Sequence, residues 1–222
     1  MAGRTAIVFG GTGLVGRSVI DELIKDDNYG MIKAFTRNKI NYSGESKIIN
    51  LVVDFERPED FSDQIRGDDL YICIGTTIKK AGTVKKMEET DRDLPVTLAR
   101  LAGKNNIKRV AVVSSIGADP GSKNYYLRIK GEMEQRILDL GFETVAVVRP
   151  SLLLGERKEK RFGESAGKIF MKVFDVFLFG KFRKYRAIKG RDVASAMIRI
   201  LQAEKGNKVF ESDQLQLIAD QK

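Results

Sequence analysis

The stretch TAIVFGGTGLVG, residues 5–16, runs from a short apolar segment straight into spaced glycines. The apolar segment predicts a buried β-strand, and the following GLVGRSVIDELIKD carries apolar residues at helical spacing. Glycines at such a junction permit a tight turn and a close approach of the backbone to a ligand. The stretch therefore predicts the strand, turn and helix with which a dinucleotide-binding fold begins.

The remainder of the chain alternates between apolar runs of strand length and longer segments of helical period. Strands are predicted in MIKAFTR, SKIINLVVDF, DLYICIG, KRVAVVSS and ETVAVVRPSLLLG. Helices are predicted at about residues 88–105, at about residues 125–140 and in RDVASAMIRILQAE, with Asp192 as the N-cap of the last one. The pattern predicts an α/β fold, a doubly wound, mostly parallel sheet of the Rossmann type with helices on both faces.

The length of 222 residues predicts a single domain, and the glycine turn makes it an NAD(P)-binding, Rossmann-like domain over residues 1–222. Residues 155–189 depart from the alternation, and within them residues 168–186 mix aromatic and aliphatic side chains with lysine and arginine. A helix and turn whose apolar face covers the end of the sheet is one interpretation. A substrate-side cap, a subunit contact and a membrane-surface helix are the alternatives.

The composition limits the possible chemistry. The chain contains no histidine, which excludes an imidazole general base or metal ligand, and we expect no metal site. The single cysteine, Cys73, cannot form an internal disulfide and lies in the apolar run LYICIG. We interpret it as a small buried hydrophobic residue.

The formal net charge of +9 is compatible with nucleic acid or with phosphate-bearing small molecules as partners. Lysine and arginine are spread along the chain, and no RNA- or DNA-binding signature is present, so nucleic-acid binding is not expected as the main role. No apolar run is long enough to cross a bilayer, and TAIVFGGTG does not resemble a signal peptide. We therefore expect a soluble, cytoplasmic protein without a membrane span.

The glycines of the first turn form the pattern GxxGxxG, at Gly10, Gly13 and Gly16. They would let the backbone approach a pyrophosphate at the helix N-terminus, and Gly16 would let the helix pack closely on the strand. At the end of the second strand, where an NAD site has a carboxylate, AFTRNK offers Arg37, whose guanidinium suits a 2′-phosphate. The sequence thus predicts NADP(H) in preference to NAD. The alternative is that Arg37 and Lys39 are only solvated loop charges.

Two further strand ends carry candidate cofactor contacts. Asp54, in VVDFE, would accept from the adenine amino group with Phe55 beside the ring, unless the two are a turn residue and a core aromatic. In CIGTT, Gly75 stands where a side chain would collide with the cofactor. Thr76 and Thr77 offer hydroxyls to its phosphate or ribose.

The segment SSIGADPGSKNYYLRIK leads from a strand end into a helix. Helical spacing puts Tyr126 and Lys130 on one side of that helix. An ammonium and an oxidised nicotinamide stabilise a phenolate, so that Tyr126 exchanges its proton near neutrality, while Lys130 also donates to the nicotinamide ribose. One of the strand-end serines, Ser114 or Ser115, would hold the substrate oxygen.

These motifs together resemble a known superfamily. GGTGLVG, CIGTT, VVSS, YLRIK and VVRPSLLLG, in that order, are similar to the short-chain dehydrogenases/reductases, specifically their atypical, epimerase-like members. VDFE, DRD, SSIGAD and YLRIKGEME resemble the Tat-interacting-protein-30-like oxidoreductases among them. The resemblance covers nearly the whole chain.

The resemblance implies roles by position. It makes Ser115, Tyr126 and Lys130 the catalytic set, with Arg37 at the 2′-phosphate. It implies that the pyrophosphate is bound by Gly10, Thr12, Gly13, Leu14 and Val15, the middle of the cofactor by Gly75 and Thr76, and that the nicotinamide lies near Arg149, Pro150 and Leu153.

Three functions follow from this sequence. The leading one is an NADPH-dependent reductase of a small carbonyl compound. An NADPH-binding regulator without turnover, which docks to a protein partner, is the alternative from another class, and a nucleotide-sugar epimerase or dehydratase is the further enzyme alternative. A monomer and a small homo-oligomer both fit.

Overall fold

The structure is a computed structural model that describes residues 3–42, 44–155 and 180–221, with the side chain of Lys181 excepted. Within these ranges the chain alternates between strands and helices, as the apolar pattern predicts.

A seven-stranded sheet forms the centre of the described structure, in the order β3-β2-β1-β4-β5-β6-β9, and every neighbouring pair of its strands is parallel. A second, two-stranded parallel sheet pairs β7 with β8. The strands are β1 (Arg4–Phe9), β2 (Tyr29–Thr36), β3 (Ile48–Val52), β4 (Asp69–Ile72), β5 (Arg109–Val113), β6 (Thr144–Arg149), β7 (Leu153–Leu154), β8 (Ile188–Lys189) and β9 (Gly206–Glu211).

Helices connect the strands of the large sheet. In chain order they are α1 (Leu14–Lys25), α2 (Ile78–Ala81), α3 (Val84–Glu88), α4 (Leu94–Lys104), α5 (Tyr125–Leu138), α6 (Gly190–Ala203) and α7 (Ser212–Asp220). Short 3₁₀ helices cover Pro58–Gln64 and Gly180–Tyr185, and a π-helical turn at Glu89–Asp93 joins α3 to α4.

Alternate residues of the strands feed two separate apolar cores. In β1, Ala6 and Val8 pack on the face covered by α1 and α6. Ile7 and Phe9 pack on the opposite face, against α4 and α5. A strand that is buried on both faces must be apolar throughout, which is why AIVF and the other central strands show no polar alternation. The predicted α/β Rossmann fold with helices on both faces is confirmed.

Two local predictions need correction, and two elements were not predicted. The N-cap of α6 is Lys189, and Asp192 lies within the first helical turn. The helix predicted from about residue 88 begins earlier, at Val84, and includes the π-helical turn. The strand β9 and the helix α7 were not predicted, because β9 is an edge strand in which only Phe210 is buried and its apolar signal is weak.

The segment predicted as substrate-side, residues 155–189, is described only in part. Residues 156–179 lie outside the described ranges. Its last residues form the 3₁₀ helix Gly180–Tyr185 and β8, which pairs with β7. The segment therefore leaves and rejoins the described structure beside the end of β6, and its role as a cap stays a prediction.

Candidate functional site

The candidate site residues follow the carboxyl ends of β1 to β6, which meet at one edge of the parallel sheet. The chain order reverses between β1 and β4, since β2 and β3 lie on one side of β1 and the later strands on the other. In open α/β sheets, a crevice at such a reversal is the usual place for a ligand. Strand order therefore gathers predicted residues from distant parts of the chain.

The glycine turn packs so tightly that two of its positions exclude a side chain. Gly10 has a φ of +85°, and a Cβ there would lie 2.5 Å from the carbonyl oxygen of Cys73. A Cβ on Gly16 would overlap the carbonyl oxygen of Gly10. The amide of Gly13 donates to that same oxygen at 2.9 Å. The glycines thus lock the turn against α1 and β4.

The first turn of α1 presents a backbone suited to an anion. Gly13 is its N-cap, no side chain caps the helix, and no acidic residue lies in the first turn. Thr12 and Gly13 are exposed, whereas the side chain of Val15 is 5% exposed and packs into the core. Leu14 packs beside Gly155 and Gly190, where an added Cβ would meet its side chain. Leu14 and Val15 therefore offer a ligand their backbone amides and not their side chains.

Arg37 follows β2 as an exposed residue. Two hydrogen bonds of the Thr36 hydroxyl hold the chain at this strand end. The hydroxyl accepts from Asn50 Nδ2 at 2.7 Å and donates to the carbonyl oxygen of Asn38 at 2.8 Å. Arg37 makes no hydrogen bond or ion pair with any described residue. Its guanidinium is thus available to an anion beside the carboxyl end of β2.

Asp54 lies in a turn, and Phe55 packs among aromatic side chains. Asp54 is exposed and accepts from the amide of Glu56 at 2.9 Å, which closes a local turn. Phe55 packs edge-on against Phe9 and Phe61, with ring centroids 6.1 and 6.0 Å apart. One carboxylate oxygen of Asp54 remains for a ligand, so contact with adenine stays a prediction.

The loop after β4 meets helix α5 through a buried carboxylate. The amide of Thr76 donates to Asp91 Oδ2 at 2.9 Å, and Lys130 Nζ lies 3.0 Å from Asp91 Oδ1. The second contact is a buried ion pair. A Cβ on Gly75 would lie 3.3 Å from Asp91 Oδ1 and 3.9 Å from Lys130 Nζ. The structure thus brings together Gly75, Thr76 and Lys130.

Lys130 is only 2% exposed. Burial opposes its charge, but the carboxylate of Asp91 and the charges of Tyr126 and Glu134 outweigh burial and raise the pKa of this lysine above its ordinary value. Lys130 is therefore an ammonium at neutral pH, compensated by Asp91.

The two tyrosines at the start of α5 occupy different surroundings. Tyr126 is partly exposed and lies one helical turn before Lys130. Tyr125 stacks against the Arg128 guanidinium, 5.0 Å from its ring centroid. Burial and a hydrogen bond with Glu88 raise the pKa of Tyr125 to about 12. Tyr126 is thus the tyrosine that shares the side of Lys130, as the helical spacing predicts.

The two strand-end serines also differ. Ser114 is 4% exposed, and its hydroxyl donates to the buried carboxylate of Glu134. Ser115 is partly exposed, and within the described part of the chain its hydroxyl makes only a 3.5 Å contact with the carbonyl oxygen of Ile116. The geometry leaves Ser115 available to a ligand and commits Ser114 to the scaffold.

The end of β6 braces the same edge of the sheet. Arg149 Nε donates to Glu134 Oε1 at 2.9 Å. Pro150 is buried, and its carbonyl accepts from the amide of Ile116 at 3.1 Å. Leu153, in β7, is partly buried. Arg149 and Pro150 thus lie beside the serine loop, and contact of all three residues with a nicotinamide stays a prediction.

Sequence reasoning missed two buried acids, Asp91 and Glu134, which are 0% and 3% exposed. Asp91 follows buried Met87 by four residues and precedes buried Pro95 by four. Glu134 likewise lies four residues after Lys130. A carboxylate on the apolar stripe of a helix is the signal that would have identified both.

Comparison with known proteins bears on this geometry. Residues 10–204 match a family described as NAD(P)H-binding. The chain belongs to that family. The match spans the glycine turn, both buried acids and α6, so this NAD(P)H-binding protein carries the family pattern across most of its sheet.

Curated relatives agree with the resemblance in the sequence. The chain is similar to protein HTATIP2 of Rattus norvegicus, with 31% identity over 173 residues that cover 77% of this chain and 71% of the relative. It is similar to the mitochondrial protein FMP52 of Kluyveromyces lactis, with 30% identity over 98% of this chain and 99% of the relative. The assignment to an atypical, epimerase-like group is confirmed.

Solved structures share the fold. A putative NAD-dependent epimerase/dehydratase from Bacillus halodurans superposes with a TM-score of 0.66 at 21% identity, over 98% of this chain and 99% of that one. A UDP-N-acetylglucosamine 4-epimerase from Methanobrevibacter ruminantium M1 gives a TM-score of 0.70 at 16% identity, over 95% and 77% of the two chains. At these identities the likeness concerns the fold alone.

The residues of the crevice fit a dinucleotide. Gly10 and Gly16 pack so closely on neighbouring backbone that neither position admits a Cβ, and the uncapped start of α1 supplies amides and a positive dipole end. Among the described ranges, no helix is long and apolar enough to cross a membrane, and no cluster of histidine, cysteine, aspartate and glutamate could hold a metal ion.

Proposed function

We propose that this protein is an NADP(H)-dependent oxidoreductase that reduces a small carbonyl compound with Ser115, Tyr126 and Lys130 as its catalytic residues. The observation that carries the proposal is the placement of Lys130. Its buried ammonium lies beside the Gly75 loop, since a Cβ on Gly75 would be only 3.9 Å from its Nζ, and Lys130 follows Tyr126 by one turn of α5. A charge so placed would serve cofactor and phenol together.

The cofactor would be held along the carboxyl edge of the sheet. Gly10, Thr12 and Gly13, with the backbone of Leu14 and Val15, would bind the pyrophosphate through amides. Gly16 would support this turn by its close packing on the backbone of Gly10. The rest of the cofactor would be contacted by Arg37, Asp54, Gly75, Thr76, Lys130, Pro150 and Leu153. NADPH would supply a hydride to the carbonyl carbon when bound.

The chain's own residues would handle the oxygen and the proton. The hydroxyl of Ser115 would donate to the carbonyl oxygen and orient it. Tyr126 would give its phenolic proton to that oxygen as negative charge develops. The ammonium of Lys130 would stabilise the phenolate that remains. Solvent would reprotonate Tyr126, which is partly exposed.

The choice of NADP(H) over NAD(H) rests on Arg37. The test is a fluorescence titration with NADPH and NADH of the wild type, of Arg37→Glu and of a control, Arg66→Glu. Arg66 is likewise exposed but precedes β4, at the opposite edge of the sheet. We expect NADPH to bind at least about tenfold more tightly than NADH, which is about 1.4 kcal/mol, and only Arg37→Glu to abolish this preference. Equal loss in both variants would mean that net charge, and not a 2′-phosphate site, sets the preference.

Turnover is tested by NADPH oxidation with a panel of aldehydes and ketones. Tyr126→Phe removes the proton donor and should lower kcat by about 100-fold or more with little change in NADPH affinity. Tyr125→Phe is the matched control, because it removes the neighbouring hydroxyl. Equal activity of Tyr126→Phe and the wild type would contradict the catalytic role.

A second candidate is a regulator that binds NADPH without turnover. It is favoured by the pairing of Lys130 with Asp91, since a compensated ammonium stabilises a phenolate less than a free one. Stoichiometric NADPH binding with no oxidation by any carbonyl compound, and indifference to Tyr126→Phe, would support this candidate. Such a regulator would act by docking to a protein partner, and residues 168–186 would be the segment to test for that contact.

The cellular location and assembly are further proposals. We propose a cytoplasmic monomer or small homo-oligomer, although the fungal relatives carry the word mitochondrial in their names. Cell fractionation with an antibody against the native chain, and light scattering of the purified protein, test the two points. Recovery in the mitochondrial fraction would overturn the proposed location.

A further inference from the structure

We propose that Asp91 is a positioning residue whose buried carboxylate keeps Lys130 charged and joins it to the backbone of Thr76. This inference deepens the proposed function and rests on it. Asp91 would touch neither substrate nor cofactor directly. It would act by fixing the charge and the position of two groups that do.

The local helix geometry explains how a carboxylate reaches this place. Asp91 lies in the π-helical turn Glu89–Asp93, between α3 and α4. π-helical turns are rare and occur frequently at functional sites. Other acids of the turn remain near solvent, since the Glu89 and Asp93 side chains are 44% and 42% exposed, whereas the Asp91 side chain is 0% exposed.

The ammonium group of Lys130 is almost wholly buried. An isolated buried ammonium loses its proton readily, because burial in a medium of low polarity disfavours the charged form. Among the described residues, the ionisable groups that most affect Lys130 are Asp91 from the π-helical turn and Tyr126 and Glu134 from its own helix. Glu134 is already paired with Arg149. Asp91, at 3.0 Å, is therefore the counter-ion on which the charge of Lys130 depends.

The same carboxylate also fixes the loop that follows β4. Its Oδ2 accepts from the amide of Thr76, while Oδ1 faces Lys130. Asparagine at position 91 would keep an oxygen for the Thr76 amide but lose the charge. Alanine would lose both. The two substitutions therefore separate the electrostatic role from the loop-fixing role.

The first experiment is an NMR titration of the full, cofactor-free chain with lysine labelled at the ε-carbon. Lys130→Met identifies the resonance of Lys130. In Asp91→Asn we expect Lys130 to lose its proton at a pH at least about two units lower than in the wild type. Asp93→Asn is the matched control, because Asp93 lies in the same turn but pairs with Arg92 and Arg136. Its titration of Lys130 should match the wild type.

An unchanged Lys130 titration in Asp91→Asn would overturn the proposal. Since this measurement uses neither cofactor nor substrate, it succeeds or fails independently of turnover. If Asp91→Asn is too unstable to titrate, the double variant Asp91→Asn/Lys130→Met decides. A double variant that recovers the melting temperature lost by each single variant supports the counter-ion role, and additive losses contradict it.

The loop-fixing role has its own readout. NADPH binding should weaken about tenfold more in Asp91→Ala than in Asp91→Asn, because only alanine leaves the Thr76 amide without its acceptor. Equal NADPH affinities of the two folded variants would contradict the link between Asp91 and the loop. If the wild type binds no NADPH, the proposed function fails, while the lysine titration still tests the counter-ion.

Discussion

Glu134, on helix α5, accepts a hydrogen bond from the hydroxyl of Ser114 at the end of β5. Both residues are buried, and Arg149 donates to the same carboxylate from β6. Ser115, the next residue, makes no comparable contact with a described residue. The contact between Glu134 and Ser114 therefore ties helix and strand together at the site and leaves Ser115 as the serine available to a substrate.

Alanine substitutions of the two serines should affect different properties, activity for Ser115 and stability for Ser114. Ser115→Ala is expected to lower kcat/KM by about 100-fold without changing the free energy of unfolding, because it removes only a substrate contact. Ser114→Ala removes a hydrogen bond to a buried carboxylate and should lower the free energy of unfolding by about 1–2 kcal/mol. Urea unfolding and NADPH oxidation measure the two effects. The opposite assignment of effects would place Ser114 at the substrate.

Gly16→Ala should disrupt the glycine turn. Its Cβ would overlap the carbonyl group of Gly10 and lie 3.1 Å from the Cβ of Cys73, and neither neighbour is the flexible end of a side chain that could move aside. We expect a loss of about 2–3 kcal/mol in the free energy of unfolding and a loss of NADPH binding. Gly103→Ala in α4 is the control, because its Cβ would lie 3.6 Å from the Phe142 ring, an ordinary contact. Unchanged NADPH affinity in Gly16→Ala would show that the turn does not bind the nucleotide.

Gly131→Ala tests the packing of the loop that leads to Tyr126. A Cβ on Gly131 would overlap the backbone of Asp119 and Pro120, so the loop must move away from α5. The expected cost is about 2–3 kcal/mol of unfolding free energy, measured in urea. Gly121→Ala, in the same loop, would meet only the Asp119 carboxylate at 3.5 Å and is expected to be neutral. Equal stability of the two variants would show that the loop adapts freely.

The pH dependence of stability should reverse when Asp91 is replaced. The pKa of Lys130 is raised in the folded wild type, so its stabilising contribution is complete below the unfolded value of about 10.4 and is lost as the pH rises through the folded value. In Asp91→Asn the folded pKa should fall below the unfolded one. Stability then rises with pH, by up to about 1.4 kcal/mol per unit, between the two values.

Urea unfolding of both proteins at several pH values between neutrality and about pH 10 measures this slope. Asp93→Asn again serves as the control for loss of an acid in the same helical turn. Parallel stability curves for Asp91→Asn and the wild type would mean that Lys130 keeps its proton without Asp91.

Much of the fold was predictable from local patterns. Apolar runs such as AIVF and LYIC mark strands that are buried on both faces, and their alternation with helical segments implies a parallel sheet. The edge strand β9 escaped prediction because an edge strand buries few side chains, in this case Phe210 alone. The N-cap of α6 was misplaced because Lys189 has no side-chain acceptor to signal it.

The sequence by itself determined the order of strands and helices, the glycine turn and the shared side of Tyr126 and Lys130, since each depends on residues that are close along the chain. Only the tertiary structure decided that Ser114 donates a hydrogen bond to Glu134 and that Lys130 forms an ion pair with Asp91. Such pairs form where different elements cross. Helical or strand periodicity states which face a side chain occupies, but not which charge it will meet there.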